Sequence, residues 1–482
     1  MNDDAPTALT ADAFGGRMPT RAGDLAVESH GIAPIPAANR FGRPVRLLTV
    51  FFAPNLTMTA VFSGTLAAGL GLGFGTGLVA LIVGTVLGSI PVAYLVTWGP
   101  LTGTAQLPFA RLPFRRAVVL PGVVQWVNSI AWDALVGLFG GDALAQLTGL
   151  PFWLAVAIVL LLQCAVGVLG YEVIHRVQAV MTVVTAVFFV VLTIRLLSGQ
   201  SIVVADTVSG AELAGAFILF STIALSLAIS WASYASDFSR YLPSKTSRPR
   251  AFIYTLLGLT LSFGWGETLG LAAGQALTDQ TTAGIRTLLG GGVLGAVALL
   301  VITLTAVSSN AMNDYSGSLA LQTIGFRVRR PVSAVVVTVI AFALILWMHS
   351  GDLASKFQDV LLLIGYWIPP FVGVVVIDWW HRRRHRRSFD VLADLARPQP
   401  GWPALVAFLL GCAAAVPFMN TTVFTGPVAS ALHGADLAYY VGLVASALVY
   451  ALLRRVTAAT PIDRRWVDGA VGSDPEGEPG QG

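Results

Sequence analysis

Three polar clusters interrupt long apolar stretches of this 482-residue chain, and each holds side chains able to bind a solute. The first is ISWASYASDFSRYLP, Ile229 to Pro243. It carries Trp231, Tyr234, the hydroxyls of Ser230, Ser233, Ser236 and Ser239, and the carboxylate of Asp237. The second is QWVNSIAWDALVGLFGG, in which Asn128, Ser129, Trp132 and Asp133 fall at i, i+1, i+4 and i+5, on one broad helical face. The third is LTAVSSNAMNDYSGSLALQ, with Thr305, Ser308, Ser309, Asn310, Asn313 and Asp314. A helix that only meets lipid needs none of this polarity. A helix lining a cavity does, because side chains and loosened backbone there replace water around the solute.

The residue types define the solute. An indole offers a flat face for stacking, and Asn, Ser and Asp offer hydrogen bonds to the edge of a ring. Trp132 beside Asp133 thus suits a flat, polar, aromatic solute; the plainer alternative for Trp132 is filling a helix crossing. The hydroxyls of Thr305, Ser308 and Ser309 can share a face. With carbonyls freed at a helix break near Pro54 (those of Ala53 and Leu56) they would make an oxygen cage for a small hard cation. The plainer alternative is interhelical Ser/Thr bonding. Glu267, a lone carboxylate in GWGETLG, suits a proton relay or a structural pair. Asp237 with Arg240 suits an inner gate or a loop anchor. Asp378, in IDWWHRRR, reads as an interfacial anchor.

The elements that must hold these clusters follow from composition. The chain is 55% hydrophobic and only 11% charged, against about 25% charged in soluble domains. This predicts an all-α polytopic membrane protein. Runs long enough to span a bilayer predict twelve transmembrane helices at 47–70, 74–97, 117–141, 151–169, 176–198, 213–236, 251–276, 291–322, 331–349, 357–380, 402–420 and 437–453. Residues 1–46 lack the apolar core of a signal peptide and, like 466–482, read as disordered tails. Cys164 and Cys412 stand far apart, which excludes a disulfide framework and Cys-based metal spacing. His381 and His385 lie in an arginine run, where a solvated basic collar is the better reading than a metal site.

With the N-terminus inside, all but Arg195, Arg286 and Lys356 of the 29 Lys and Arg fall in cytoplasmic segments. That asymmetry predicts cytoplasmic N- and C-termini in a plasma (inner) membrane. The net charge of +4 reflects these loops and carries no nucleic-acid signature. Polar features recur at a fixed offset: Asn55 and Trp231, Trp132 and Ser308, Pro91 and Glu267 are each 176 residues apart. This points to two inverted five-span repeats, 47–198 and 213–380, followed by two helices in 402–453.

The polar break at Asn55, followed by FSGTLAAGLGLGFGTGL, then WGPLTG, AWDALVGLFGGDAL, GYEVIHR, SWASYASDFSRYLP, SNAMNDYSGSLALQ and GYWIPPFVGVVVIDWW, resembles in order the nucleobase:cation symporter-1 family, the purine/cytosine permeases. The resemblance covers roughly residues 41–455; its sixth- and eighth-span motifs are the specific ones. It implies a leucine-transporter-type 5+5 inverted repeat plus two C-terminal helices. It also implies import of a nucleobase or related ring, of the cytosine, purine, hydantoin or allantoin class, by symport with sodium or protons and without another cofactor. The ring would stack between Trp132 and Trp231, with Asn310 or Asn313 reading its edge and Ser129, Ser230, Asp133 and Asn55 near it. Sodium would sit among Ala53, Leu56, Thr305, Ser308 and Ser309, and Glu267 and Asp237 would serve coupling or gating. The expected partners are the substrate, a monovalent cation and the lipid bilayer, with the protein acting as a monomer. Asp133 departs from the family, where a neutral residue is expected; facing the cavity, it would favour a strong donor or a cationic substrate, or shift coupling toward protons. An amino-acid transporter of the same fold is the alternative, but the breaks at APN and SWAS lack the glycine pair that a carboxylate would need. A membrane enzyme or a channel would show a nucleophile–base cluster or a repeated filter, and neither is visible.

Overall fold

The computed structural model describes residues 31–458, except 170, 200–204, 277–280, 326–329, 385–390 and 392–398. Among these residues the regular structure is helical, apart from one isolated bridge between Asn420 and Thr425. In chain order the helices are α1 (Arg46–Phe52), α2 (Met58–Gly69), α3 (Phe74–Val96), α4 (Gly99–Thr102), α5 (Gln106–Phe114), α6 (Val119–Thr148), α7 (Phe152–Leu169), α8 (Tyr171–Gly199), α9 (Gly210–Ile229), α10 (Arg248–Ala276), α11 (Thr282–Leu288), α12 (Gly292–Thr323), α13 (Arg330–His349), α14 (Leu353–Gly365), α15 (Ile368–Arg384), α16 (Trp402–Ala415), α17 (Pro427–Ala431) and α18 (Ala438–Ala458). Among the described residues six spans are long and apolar enough to cross a membrane, or seven when α1 and α2, bent by 57° at their junction, count as one.

Outward-facing rows identify the lipid side. On α3 Val79, Ile82, Val83, Val86 and Ile90 are exposed, and on α8 Val180, Val183, Val187, Ile194 and Leu197. These rows follow the three- and four-residue spacing of one helical face. The polar clusters face the interior: Asn55, Asp133, Asp237, Glu267 and Asn310 are all buried.

Glycine sets how closely the interior helices approach. A Cβ on Gly64 of α2 would lie 2.1 Å from the Glu267 carbonyl oxygen, and one on Gly270 of α10 would lie 1.8 Å from that of Val61. The α3–α9 contact repeats the device, with Gly84 against the Ser221 carbonyl and Gly88 against that of Leu225. Between α6 and α12, Gly140 meets Ala306 and Gly317 meets Ser129. Without a hydrophobic drive between helices in lipid, such backbone-to-backbone contact supplies the packing attraction.

Two expectations change. The disordered tail expected through residue 46 is folded from residue 31: Ile32 and Ile35 are buried, Ile35 N donates to Gly103 O (2.8 Å), and Phe41 N donates to Tyr241 O (2.6 Å). The segment lies over loops, so no helical periodicity marked it. Asp378 is more than an interfacial anchor. It is fully buried and pairs with Arg382 and with Arg454 (2.7 Å), while Tyr450 Oη donates to it at 2.8 Å. It thus joins α15 to α18. His385 lies outside the described residues, among which no cluster of metal-binding side chains occurs.

Gly270→Ala is expected to destabilise the protein by about 1–3 kcal/mol or prevent folding, because backbone on α2 must shift. Gly264→Ala, whose Cβ would meet nothing within 4 Å, should be neutral. Thermal unfolding of the two variants in detergent checks the contrast.

Candidate functional site

The site is built where two helices break. Between α1 and α2 the chain runs through a 3-10 turn, Ala53–Asn55, in which Pro54 supplies no backbone N–H. Leu56 leaves helical geometry at ψ 70°, and Thr57 caps α2, its hydroxyl accepting from Ala60 N at 3.4 Å. The Asn55 side chain closes the break: Nδ2 donates to Phe51 O (2.7 Å) and Oδ1 accepts from Trp231 Nε1 (2.8 Å). The second break follows α9, as a 3-10 stretch over Ser230–Phe238 that leaves helical geometry at Tyr234. Its serines bond backbone carbonyls of neighbouring segments: Ser230 Oγ donates to Leu227 O of α9 (2.7 Å), Ser236 Oγ to Thr104 O (3.2 Å) and Ser239 Oγ to Val96 O at the end of α3 (2.8 Å). The hydroxyls that stood out in the sequence are therefore mostly donors to backbone carbonyls.

A hollow lies between the breaks. Pro54, Asn55, Thr57 and Thr59 line it from the first break, Trp132 and Val136 from α6, and Leu227, Ser230, Trp231 and Tyr234 from the second. Phe263 of α10 and Ser309 and Asn313 of α12 complete the wall. The cavity volume is about 20 Å³. One water needs roughly 10–15 Å³, so the hollow is closed to a size below that of a heterocycle. Trp231 is wedged by Phe51 (ring centroids 5.3 Å apart, edge-on), Tyr234 (5.1 Å) and Phe238 (6.1 Å). The Trp132 indole is also buried, and its Nε1 has no hydrogen-bond partner among the described residues.

The residues expected to bind substrate divide into two groups. Asn55, Trp132, Ser230, Trp231 and Asn313 line the hollow. Asn310 stands behind it, donating to Asp133 O (3.0 Å) and Gln163 Oε1 (2.7 Å) and accepting from Asn313 Nδ2 (3.2 Å). Ser129 turns back onto Trp126 O (2.7 Å). Asp133 is not on the wall; its carboxylate lies next to that of Asp314. The expectation that it meets substrate directly therefore fails for this closed form: one helical step of about 100° from Trp132 carries it toward α12.

The expected cation residues converge only in part. Ser309 reaches the first break, donating to Pro54 O at 2.8 Å. Thr305 and Ser308 bond carbonyls of their own helix, Val301 O (2.7 Å) and Thr305 O (3.2 Å). Ala53 and Leu56 are fully buried at the break. Glu267 accepts from Thr85 Oγ1 (2.7 Å), away from the hollow. Asp237 caps the start of α5, accepting from Gln106 N (2.8 Å). Arg240 is buried and donates to Gly31 O (2.8 Å) and Tyr315 Oη (2.9 Å).

Thr57 and Thr59, which with Pro54 and Asn55 interrupt an otherwise apolar first span, stand on the wall; sequence reasoning passed over Val136, Leu227 and Phe263 there, which carry no signal distinguishing them from core residues. It also passed over Gln163 and Gln178. Gln163 holds Asn310, and Gln178 Nε2 donates to Ser308 O at 2.8 Å. A glutamine inside an apolar span was the available signal.

Comparison with known proteins gives a consistent result. A family described as permease for cytosine/purines, uracil, thiamine, allantoin matches residues 34–442. The putative purine-cytosine permease YxlA of Bacillus subtilis (strain 168) is 24% identical over 443 residues, 89% of this chain and 96% of its own. Purine-cytosine permease fcyB of Emericella nidulans is 26% identical over 459 residues, 90% of this chain and 89% of its own. Among solved structures, Mhp1, a nucleobase-cation-symport-1 family transporter in a closed conformation with bromovinylhydantoin bound, aligns with a TM-score of 0.73 at 19% identity. That alignment covers 89% of this chain and 96% of Mhp1. Mhp1 in its inward-facing conformation gives 0.70 at 18% identity, covering 89% and 94%. At such identities the likeness is one of fold.

Asn55→Leu should leave the Trp231 N–H buried and unpaired and lower stability by about 1–3 kcal/mol. Trp231→Phe in that background should add little, giving a coupling energy of about 0.5–3 kcal/mol in a double-mutant cycle of thermal unfolding.

Proposed function

Because this chain belongs to the family of permeases for cytosine/purines, uracil, thiamine and allantoin, we propose that it is a secondary active transporter importing a nucleobase or related heterocycle by symport with sodium or protons. The observation that carries the reading is the convergence of Trp132, Trp231 and Asn313 on one hollow between two helix breaks. Two indole faces from different helices match a flat ring, and an amide matches its polar edge. A hydantoin-bound structural relative supports the ring class. Asn313, on the wall, is the edge-reading residue, and Asn310 positions it from behind.

The architecture we propose is twelve spans, arranged as two inverted five-helix repeats and two further helices. Contacts support the exchange symmetry. If α1–α2 corresponds to α9 and α3 to α10, then the α2–α10 packing is the counterpart of α3–α9, and both are tight glycine contacts. Residues on the axis should then meet their own counterparts. Asn55 and Trp231, 176 positions apart, share a hydrogen bond. The charge asymmetry supports cytoplasmic termini, and the protein acts as a monomer in this scheme.

In mechanism, the hollow must widen for a ring to enter. Trp231 is fixed by its bond to Asn55 and by Phe51, whereas Trp132 has a free donor, so Trp132 is the indole that moves onto the ring. An ion binding between Ser309 and the first-break carbonyls would hold α12 and the break together in one state and thereby bias which side opens. The order of binding follows: the ion sets the break, the ring closes the indoles, and the helix groups then rock about the site.

A thermal-shift panel of purines, pyrimidines and hydantoins, with and without sodium, should yield at least one stabilising ring; a shift with sodium alone assigns the ion. For that ring, Trp132→Ala should cost about 1–3 kcal/mol of stacking, a loss of uptake of roughly fivefold to over a hundredfold, with the protein still in the membrane. Unchanged uptake refutes the stacking role.

A further inference from the structure

Behind the hollow lie two carboxylates that the substrate site does not use. Asp133 directly follows Trp132 on α6, and Asp314 directly follows Asn313 on α12. In each case a wall residue is succeeded by an aspartate turned one helical step away. The two carboxylates lie against each other, and the Asn313 side chain is beside Asp133. Asp133 is fully buried and Asp314 is 8% exposed. None of their four oxygens has a hydrogen-bond partner of ordinary geometry among the described residues. The other titratable groups facing the pair are the Cys164 thiol on α7 and the Tyr234 phenol at the second break. No cationic side chain faces either carboxylate among the described residues. Arg240 reaches the neighbouring Tyr315 but is engaged with its hydroxyl and with Gly31 O.

We infer that Asp133 and Asp314 form a proton-binding site behind the ring site, loaded when the hollow is closed and discharged when it opens. Two ionised carboxylates in contact, buried and with no counter-charge facing them, repel strongly. One proton removes the repulsion: the protonated carboxyl donates to its neighbour, and both groups gain a partner. The pair then titrates as a unit. Widening the hollow moves Trp132 and Asn313, and with them the adjacent aspartates, and admits water. Hydration stabilises the doubly ionised pair, and the proton leaves to that water. By linkage the closed form binds the proton more tightly than the open form, so low pH favours closure. The proton site stands on this geometry alone. Its role in coupling rests on the transport reading above.

The test has two arms. Infrared spectroscopy of the purified full-length chain should show a protonated-carboxyl band at neutral pH with a component that persists in Glu267→Gln and is absent from the double variant Asp133→Asn, Asp314→Asn. Should the double variant fail to fold, the wild-type and Glu267→Gln spectra still decide: a band abolished by Glu267→Gln alone overturns the site. In proteoliposomes, uptake of the ring found in the thermal panel should fall about tenfold per pH unit above the pair's titration range, and the double variant should be flat with pH. A band component with uptake that depends on sodium and not on pH keeps the proton site and overturns its coupling role. A band component with no ring transported at all counts against the transport reading instead.

Discussion

The bond from Trp231 Nε1 to Asn55 Oδ1 is the interaction on which the site depends. It joins the two places where a membrane helix is interrupted, and it does so with side chains. An interruption at membrane depth is tolerated only if freed backbone groups find partners or face a cavity. Asn55 meets both demands at once, since its amide nitrogen takes the Phe51 carbonyl while its oxygen holds the indole. The indole is thereby fixed against Phe51, Tyr234 and Phe238, and its remaining surface forms the wall of the hollow. The shape of the hollow and backbone satisfaction are therefore one problem in this protein, solved by the same two residues.

That arrangement requires the flanking helices to come very close. Gly64 and Gly270 let α2 and α10 touch through backbone atoms, and Gly84 and Gly88 do the same for α3 and α9. Each broken helix is thus clamped by one glycine-bearing neighbour. In lipid, where apolar side chains gain little by leaving the solvent, such contact area between backbones provides the attraction. α6 and α12, the helices carrying Trp132 and Asn313, form a further close pair, Gly140 against Ala306 and Gly317 against Ser129, tied to the first break by Ser309 and to α2 by Thr59 Oγ1 donating to Leu135 O (3.2 Å).

Much of this was legible in the sequence. Long apolar runs marked where helices lie, because about twenty apolar residues are needed to cross a bilayer. Pro54 and Asn55 marked the first break, and the serine-rich SWASYAS marked the second, since side chains that cap backbone are needed only where backbone is free. What stayed illegible was direction. Asn310 and Asn313 are three residues apart, and Trp132 and Asp133 one apart. A helix of unknown rotation cannot say which of them meets the hollow, and a difference of about 100° decides it. The folding of residues 31–46 was equally hidden. Their burial comes from docking on loops around Gly103 and Tyr241, a tertiary event with no local pattern to announce it.

The same docking constrains how the site can open. At one end of the bundle, Arg240 ties the close of the second break to Gly31 and Tyr315, while Asp237 caps α5 and Arg40 Nη1 donates to Pro100 O at 2.7 Å. These bonds join four chain segments in a buried layer. At the other end the ties are less buried: Asp206 accepts from Gly73 N (2.6 Å) and Thr76 Oγ1 (2.8 Å), and Asp142 meets Thr282. Charge-assisted bonds out of water are stronger than those with solvent at hand. Breaking the Arg240 layer exposes a buried guanidinium, so opening at that end needs water to enter as the layer parts. Opening at the other end exchanges protein bonds for solvent bonds already close by. The asymmetry makes the two openings unequal in energy, and an ion bound at the first break, or a proton on the carboxylate pair behind the hollow, would offset the difference.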